Sequence, residues 1–382
     1  MTLPERVSVI DAHTEGEPLR VITAGYPQPG GRTVLARRRY AREHLDRYRT
    51  ALMYEPRGHA DMYGCLLMPP VSESAHFAVL FLHNEGYSTM CGHGILGVTR
   101  VVLEAVLPRA SLSGASQAVS NSPPEAAGFI RGLRCAADSP DGDVEVRIDT
   151  PAGLVTAAAT LASGRVTGVR FRNVPSWAVA LHAEVDVPGL GRVGYDIGYG
   201  GAYYAFVDAD MLGLELTPPH TRELTEIGMQ IKRAVTKAHP ITHPGTHPAA
   251  DPGTLREDRA SGEEEDLAFL YGTIFKGPAA RSENHSRHVC VFAEGEVDRS
   301  PTGTGVSARA ALLSARGELE AGQKIVIESI LGTTFSVEGV DNVRIGEFDA
   351  IIPEVGGRAY ITGHATLLLD PDDPLRDGFL MR

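Results

Sequence analysis

A thiol and an alcohol occupy matching positions in two distant stretches of this sequence. Residues 87 to 100 read YSTMCGHGILGVTR, and residues 298 to 309 read DRSPTGTGVSAR. Cys91-Gly92-His93-Gly94 aligns with Thr302-Gly303-Thr304-Gly305, and a short helical pattern follows each. Gly92, Gly94, Gly303 and Gly305 leave room for a ligand to touch the backbone. A helix starting there presents unpaired N–H groups and a partial positive charge. Such an end binds a carboxylate, and it favours the thiolate of a cysteine at the cap. Two opposed helix starts would hold one carboxylate and stabilise the charge that builds on it as an α-proton leaves.

A single Gly-rich turn before a helix is ordinarily only a turn. The duplication shifts that balance, as does the thiol at one head. His93 reads either as a satisfied core histidine or as a site residue. Asp298, four residues before Thr302, reads either as a strand-end turn residue or as a partner for an ammonium group. Arg299 reads as a structural or surface charge. His239, His243 and His247 are spaced four apart, as helical metal ligands would be, but Pro240 and Pro244 interrupt the helix that spacing needs. Cys65, Cys135 and Cys290 lie in apolar or irregular contexts and read as inert. His13 and His59 fall in polar, turn-like segments and fit either a turn or a pocket wall.

Strands must carry these residues to their places. RVSVIDA, LRVITAG, CLLMPP and FAVLFLH are short, apolar and separated by turn residues, and they read as strands leading to Cys91. Ile95, Val98, Val102 and Ala105 then recur at helical spacing, with Pro108 as the stop. Residues 108 to 142 are rich in Ser, Ala, Gly and Pro and read as a loose loop. Strands resume with VEVRIDTPAGLVTAAATLASGRVTGVRFRNVPS. A long helix is predicted over 218–238, with Thr217 as its cap, Pro218 in its first turn and an apolar stripe of Leu224, Ile227, Ile231, Ala234 and Val235. Residues 239 to 266 read as a polar surface loop. LAFLYGTIF and HVCVFAEGEV return to strand and lead to Thr302. The order strands, armed turn, helix thus occurs twice, which predicts two similar domains facing each other across a site. The expected division is 1–178, rejoined by 360–382, and 179–359.

A chain of 382 residues fits two domains. The net charge of −12 argues against a nucleic-acid partner. No run of about 18 apolar residues points to a membrane, and no leader pattern opens the chain. The cysteines lack a CxxC pair, so neither a disulfide framework nor a structural zinc is expected, and a cytoplasmic location is.

DAHTEGEPLRVI, EPRGHADMYG, MCGHG, DIGYGGAYYAFVDA and DRSPTGTGVSAR, in that order, resemble the proline racemase superfamily. The resemblance implies an α/β (α+β) fold like that of diaminopimelate epimerase: two pseudo-symmetric domains, each with a curved sheet around a central helix, and a site in the cleft. It implies no organic cofactor and no metal. The small-molecule substrate would be a cyclic imino acid, and a homodimer stays open. Racemases and epimerases of the family carry a cysteine at both heads, whereas Thr302 stands at the second head here. An alcohol is far too weak an acid or base to replace a thiol. The Cys/Thr pairing is similar to family members that dehydrate trans-3-hydroxy-L-proline to Δ1-pyrroline-2-carboxylate, which implies a hydro-lyase. By that resemblance Cys91 accepts the α-proton. Gly92, His93, Gly303 and Thr304 bind the substrate, mainly its carboxylate, Asp298 holds the ring nitrogen, and Thr302, the second catalytic position, closes the second face and either bonds the substrate or caps the helix. The alternatives are a proline or hydroxyproline racemase or epimerase, a non-catalytic binder of cyclic amino acids and, more remotely, a cysteine hydrolase.

Overall fold

The computed structural model describes residues 5–107, 125–139, 141–244 and 267–381. The chain folds into two compact units, residues 1–171 with 356–382, and residues 172–355.

In the first unit the strands are β1 (Glu5–Thr14), β2 (Glu17–Ala24), β3 (Tyr63–Met68), β4 (Phe77–His83), β5 (Gly86–Ser88), β6 (Gly142–Thr150), β7 (Gly153–Ala162) and β8 (Arg165–Arg172), joined by a returning strand over Ala359–Leu369. β1 pairs antiparallel with that returning strand and with β2, β2 runs parallel to β3, and β3 is antiparallel to β4. β4 then takes β5 antiparallel and β6 parallel, and β6 takes β7 antiparallel. Helix α3 (Gly92–Val101), third in the unit after α1 (Val34–His44) and α2 (Asp46–Met53), touches β1, β2, β3, the returning strand and also β7. A helix that meets both ends of the strand order has the sheet curled around it. Its sequence permits this, because every residue but Arg100 is buried. A helix apolar on all sides belongs in a core.

In the second unit the strands are β9 (Ser176–Val187), β10 (Gly191–Tyr199), β11 (Tyr203–Asp208), β12 (Leu270–Gly277), β13 (Ser286–Phe292), β14 (Glu296–Val297), β15 (Lys324–Glu328), β16 (Thr334–Ile345) and β17 (Phe348–Gly357). β10 pairs antiparallel with β9 and β11, β11 is parallel to β12, and β12 is antiparallel to β13. β13 takes β14 antiparallel and β15 parallel, and β15 takes β16 antiparallel. The sequence of pairings from β10 to β16 therefore repeats that from β1 to β7, step for step. β9 stands to β10 as the returning strand stands to β1. Helix α4 (Thr221–Ala238) packs on β9, β12 and β13, while α5 (Gly303–Ala315) touches β9, β10, β11 and β16 and is buried over nearly its whole length.

Several local expectations are revised. The predicted helix over 218–238 is broken: Pro218–His220 forms a single 3-10 turn and α4 starts at Thr221. The Thr217 hydroxyl does not cap a helix but pairs with His220 Nδ1 at 2.8 Å. The buried stripe is Leu224, Gly228, Met229, Ile231 and Val235, while Ile227 and Ala234 are only partly covered. In the 108–142 segment, residues 108–124 and 140 lie outside the described residues, but Ala126, Cys135 and Ala136 are core residues. α3 continues as a π turn over Val102–Val106, and the expected stop, Pro108, lies outside the described residues. α1 and α2 escape the apolar pattern because arginines fill part of their buried faces. Arg38 is buried by donating twice to the Tyr87 carbonyl, and Arg49 by pairing with Asp46 and giving a bond to the His83 carbonyl. Among the described residues no helix is long and apolar enough to cross a membrane.

Candidate active site

The first armed turn follows β5. Cys91 has extended backbone, φ −146° and ψ 107°, and forms the N-cap of α3. Its carbonyl accepts from the Ile95 N–H at 3.0 Å, and its sulfur accepts from the Gly94 N–H at 3.2 Å. The thiol therefore plays the part usually taken by a serine or aspartate oxygen. His93 turns its ring back on the same sulfur, with Nδ1 at 3.2 Å and Nε2 at 3.6 Å from Sγ. Cys91 and His93 are each only 4% exposed. The Thr14 hydroxyl holds the His93 carbonyl at 2.8 Å, and the Tyr63 ring meets the imidazole edge-on at 4.6 Å. The Tyr63 hydroxyl is in turn fixed by the Ser88 hydroxyl at 2.5 Å. A backbone N–H and a helix start aimed at one sulfur favour negative charge on it. The imidazole beside it is a group able to relay a proton.

The second armed turn follows β14. The Asp298 N–H donates to the Cys290 carbonyl at 3.1 Å, and Asp298 Oδ1 accepts from the Ser300 N–H at 2.7 Å. The Ser300 hydroxyl oxygen accepts the Thr302 N–H at 3.1 Å. Thr302 then caps α5 with backbone alone: its carbonyl accepts from the Val306 N–H at 2.7 Å, but its side chain makes no capping bond. Thr302 sits at φ 68° and ψ 98°. That region is rare for any residue with a Cβ and strained for a β-branched one. Thr302 is 5% exposed, and among the described residues its hydroxyl has no hydrogen-bond partner. Behind it, Asn173 Nδ2 donates to the Ser307 hydroxyl at 2.8 Å and to the Gly200 carbonyl at 2.7 Å, tying α5 to the loop after β10. The Thr304 hydroxyl lies 2.7 Å from the Tyr204 phenol.

The glycines three residues after each head do a different job from the one the sequence suggests. A Cβ on Gly94 would lie 2.6 Å from Phe81 Cε1 and 2.9 Å from the Cys91 sulfur. A Cβ on Gly305 would lie 2.5 Å from Ile274 Cδ1 and 3.1 Å from Thr302 Cβ. These two positions are filled by the protein's own side chains, so they admit the head residue and a core side chain rather than a ligand.

The candidates therefore fall into two local groups. Cys91, Gly92 and His93 share the first turn, and Asp298, Thr302, Gly303 and Thr304 share the second. Tyr63, Ser88, Ser300 and Tyr204, which support these groups directly, were not foreseen. Tyr63 and Tyr204 do lie in EPRGHADMYG and DIGYGGAYYAFVDA, where their aromatic character alone gave no role. His13 belongs to the β1–β2 turn: Nδ1 accepts the Gly16 N–H at 3.2 Å and the ring stacks on Tyr360 at 5.1 Å. His59 sits in an exposed turn beside the Ala60 carbonyl. His243 joins an aromatic cluster with Trp177, Tyr199 and Tyr203 and pairs with the Tyr203 hydroxyl at 2.8 Å, so the loop read as polar surface begins packed. His247 lies outside the described residues. Cys65, Cys135 and Cys290 are buried free thiols, and burial pushes the Cys65 thiol well up, away from ionisation.

Comparison with known proteins adds to this geometry. The proline racemase family profile matches residues 9–113, 136–252 and 254–380. The trans-3-hydroxy-L-proline dehydratase of Homo sapiens is 43% identical over 379 residues, spanning 98% of this chain and 95% of that protein. The enzyme of the same name from Colwellia psychrerythraea is 40% identical over 378 residues, spanning 98% of this chain and 93% of that protein. Among solved structures, a hydroxyproline epimerase from Agrobacterium vitis, with bound trans-4-hydroxy-L-proline, superposes with a TM-score of 0.81 at 27% identity. That match covers 99% of this chain and 96% of the epimerase.

Proposed function

Because the chain belongs to the proline racemase family, we propose that it is a hydro-lyase that converts trans-3-hydroxy-L-proline to Δ1-pyrroline-2-carboxylate. The observation that carries this reading is the contrast between the two heads. Cys91 is a buried thiol that faces a backbone donor and an imidazole. Thr302 is an alcohol whose hydroxyl meets no group able to ionise it among the described residues. One-base elimination needs one sulfur; two-base inversion needs two groups that exchange protons. Relatives at 40–43% identity that bear the dehydratase name support the same choice.

The chemistry explains why one thiol suffices. In trans-3-hydroxyproline the hydroxyl lies opposite the carboxylate, so the α-hydrogen and the hydroxyl share one ring face. The Cys91 thiolate takes the α-hydrogen, and the electron pair left at Cα forms the Cα–Cβ double bond as the C–O bond breaks. The new Cys91 thiol gives its proton to the departing oxygen, which leaves as water. Thiolate is regenerated, and the enamine tautomerises to the imine. A helix start stabilises a carboxylate as charge builds on it; Gly92 and His93 belong to such a start in the first unit, and Gly303 and Thr304 to one in the second. Asp298 holds the ring nitrogen. Its Oδ1 is already fixed by the Ser300 N–H, which sets the direction of the carboxylate.

The test is incubation with trans-3-hydroxy-L-proline in deuterium oxide, trapping the imine with o-aminobenzaldehyde. The expected result is trapped cyclic imine in step with substrate loss. Labelled, inverted amino acid without imine would instead assign the chain to the racemases and epimerases of its family.

A further inference from the structure

We propose that Tyr204 is a positioning residue that fixes the Thr304 hydroxyl as a hydrogen-bond donor to the substrate carboxylate. This rests on the reading of the second armed turn as a carboxylate seat and deepens it. Tyr204 lies on β11 and is 1% exposed. Its phenol makes one hydrogen bond among the described residues, to Thr304 Oγ1 at 2.7 Å. Geometry alone permits either oxygen to donate. The substrate complex sets the direction proposed: each hydroxyl has one proton, and whichever proton is not given across this bond needs an acceptor of its own. The Tyr271 ring meets the Tyr204 ring edge-on at 5.8 Å, and Phe206 does so at 6.5 Å; neither contact offers the phenol an acceptor. Burial also raises the Tyr204 pKa well above the ordinary phenol value, with Cys290 and Tyr271 adding to the effect, so the ring keeps its proton. With a carboxylate at the turn, only Tyr204 donating to Thr304 leaves both protons paired, and that is the direction proposed.

That assignment commits the other half of the Thr304 hydroxyl. Its own proton has no acceptor among the described residues, although Thr304 is only 3% exposed. Thr304 is the second residue of α5, in the turn whose backbone N–H groups are also unpaired by the helix. Backbone and side chain thus present donors only. A carboxylate, which only accepts, matches that set, and an ammonium group does not. The corresponding position in the first turn is His93, whose ring is engaged with Cys91, so this device belongs to the second turn alone.

The probe is pyrrole-2-carboxylate, a planar ring acid, titrated calorimetrically into the wild type, Tyr204→Phe, Thr304→Val and the double variant. Loss of a hydrogen bond to a charged group predicts a Kd raised about tenfold or more in Thr304→Val, and about three- to tenfold in Tyr204→Phe. The double variant should bind no more weakly than Thr304→Val. The KM for trans-3-hydroxy-L-proline should rise with Kd in Tyr204→Phe, while kcat changes less. An unchanged Kd in Tyr204→Phe overturns the proposal, and so does a double variant in which the two losses multiply. If the Phe variant does not fold, Thr304→Ser should bind within about threefold of wild type while Thr304→Val does not; equal affinities for these two also overturn it. Wild-type turnover is measured separately, so absence of dehydration refutes the functional reading, whereas these affinities judge Tyr204.

Discussion

Replacing Cys91 by serine separates chemistry from folding. Serine keeps an acceptor at the N-cap for the Gly94 N–H, which the sulfur now receives at 3.2 Å. Serine is also a preferred cap, so the thermal midpoint should move by no more than a few degrees. The chemical loss follows from ionisation. At pH 8 a free thiol with pKa about 8.5 is about one-quarter ionised, while an alcohol, with an acidity near that of water, is ionised at about one part in 10^8. The populations of active base differ by about 10^7. The alkoxide is the stronger base, and a Brønsted slope of about one half recovers about 10^3.5 of that. The net expectation is a kcat lower by about 10^3- to 10^4-fold, within the range for losing a positioned acid–base group. Thr302→Ala is the control: it removes a hydroxyl that has no hydrogen-bond partner among the described residues, and kcat should stay within about tenfold. The assay is o-aminobenzaldehyde trapping under substrate saturation, with the melting curve recorded on the same samples. A folded Cys91→Ser enzyme within tenfold of wild type would refute the one-thiol argument. A Thr302→Ala enzyme as inactive as Cys91→Ser would assign the acid role to Thr302.

Gly94→Ala should destabilise the first unit by about 1–3 kcal/mol through overpacking, because the new Cβ would meet Phe81 at 2.6 Å and the sulfur at 2.9 Å; denaturant unfolding measures it, and activity should fall because the thiol must shift. Glu328 accepts from the Ala280 and Arg281 N–H groups, Asn284 and Arg287, and these bonds outweigh its burial and hold its pKa at about 2. A depressed carboxylate contributes stability above its unfolded pKa and loses it as pH falls. Glu328→Gln should therefore lower the melting temperature at pH 7, with the gap to wild type closing between about pH 4.5 and pH 2. His288 is fully buried, both ring nitrogens lack partners among the described residues, and burial followed by repulsion from Arg309 depresses its pKa. The unfolded chain takes up that proton below about pH 6.5, so stability falls with pH there; a folded His288→Leu variant should show a flatter melting profile between pH 7 and pH 5.

Much of this was legible in the residues. Strands such as β4 and β13 carry unbroken apolar runs, and the turn signals between them are strong. The repeat was visible because Cys91-Gly92-His93-Gly94 and Thr302-Gly303-Thr304-Gly305 share a glycine pattern that packing demands at Gly94 and Gly305. α1 and α2 were not legible, because Arg38 and Arg49 are buried by bonds to distant carbonyls that no periodicity encodes. Tyr204 was hidden for the same reason: its partner lies one hundred residues away. The break at Thr221 was missed because Pro218 and Pro219 suit the first turn of a helix as well as the 3-10 turn they form.

The duplication also makes the asymmetry interpretable. The pairings from β1 to β7 recur from β10 to β16, so the two turns start from one design. They diverge in backbone as well as in side chain. Cys91 at φ −146° folds its sulfur over the helix start, where the residue two positions on, His93, serves it. Thr302 at φ 68° leaves its hydroxyl off the helix start, and the residue two positions on, Thr304, is taken by Tyr204 instead. On the proposed reading, the first turn is the one equipped for proton transfer, and the second is the one that presents donors.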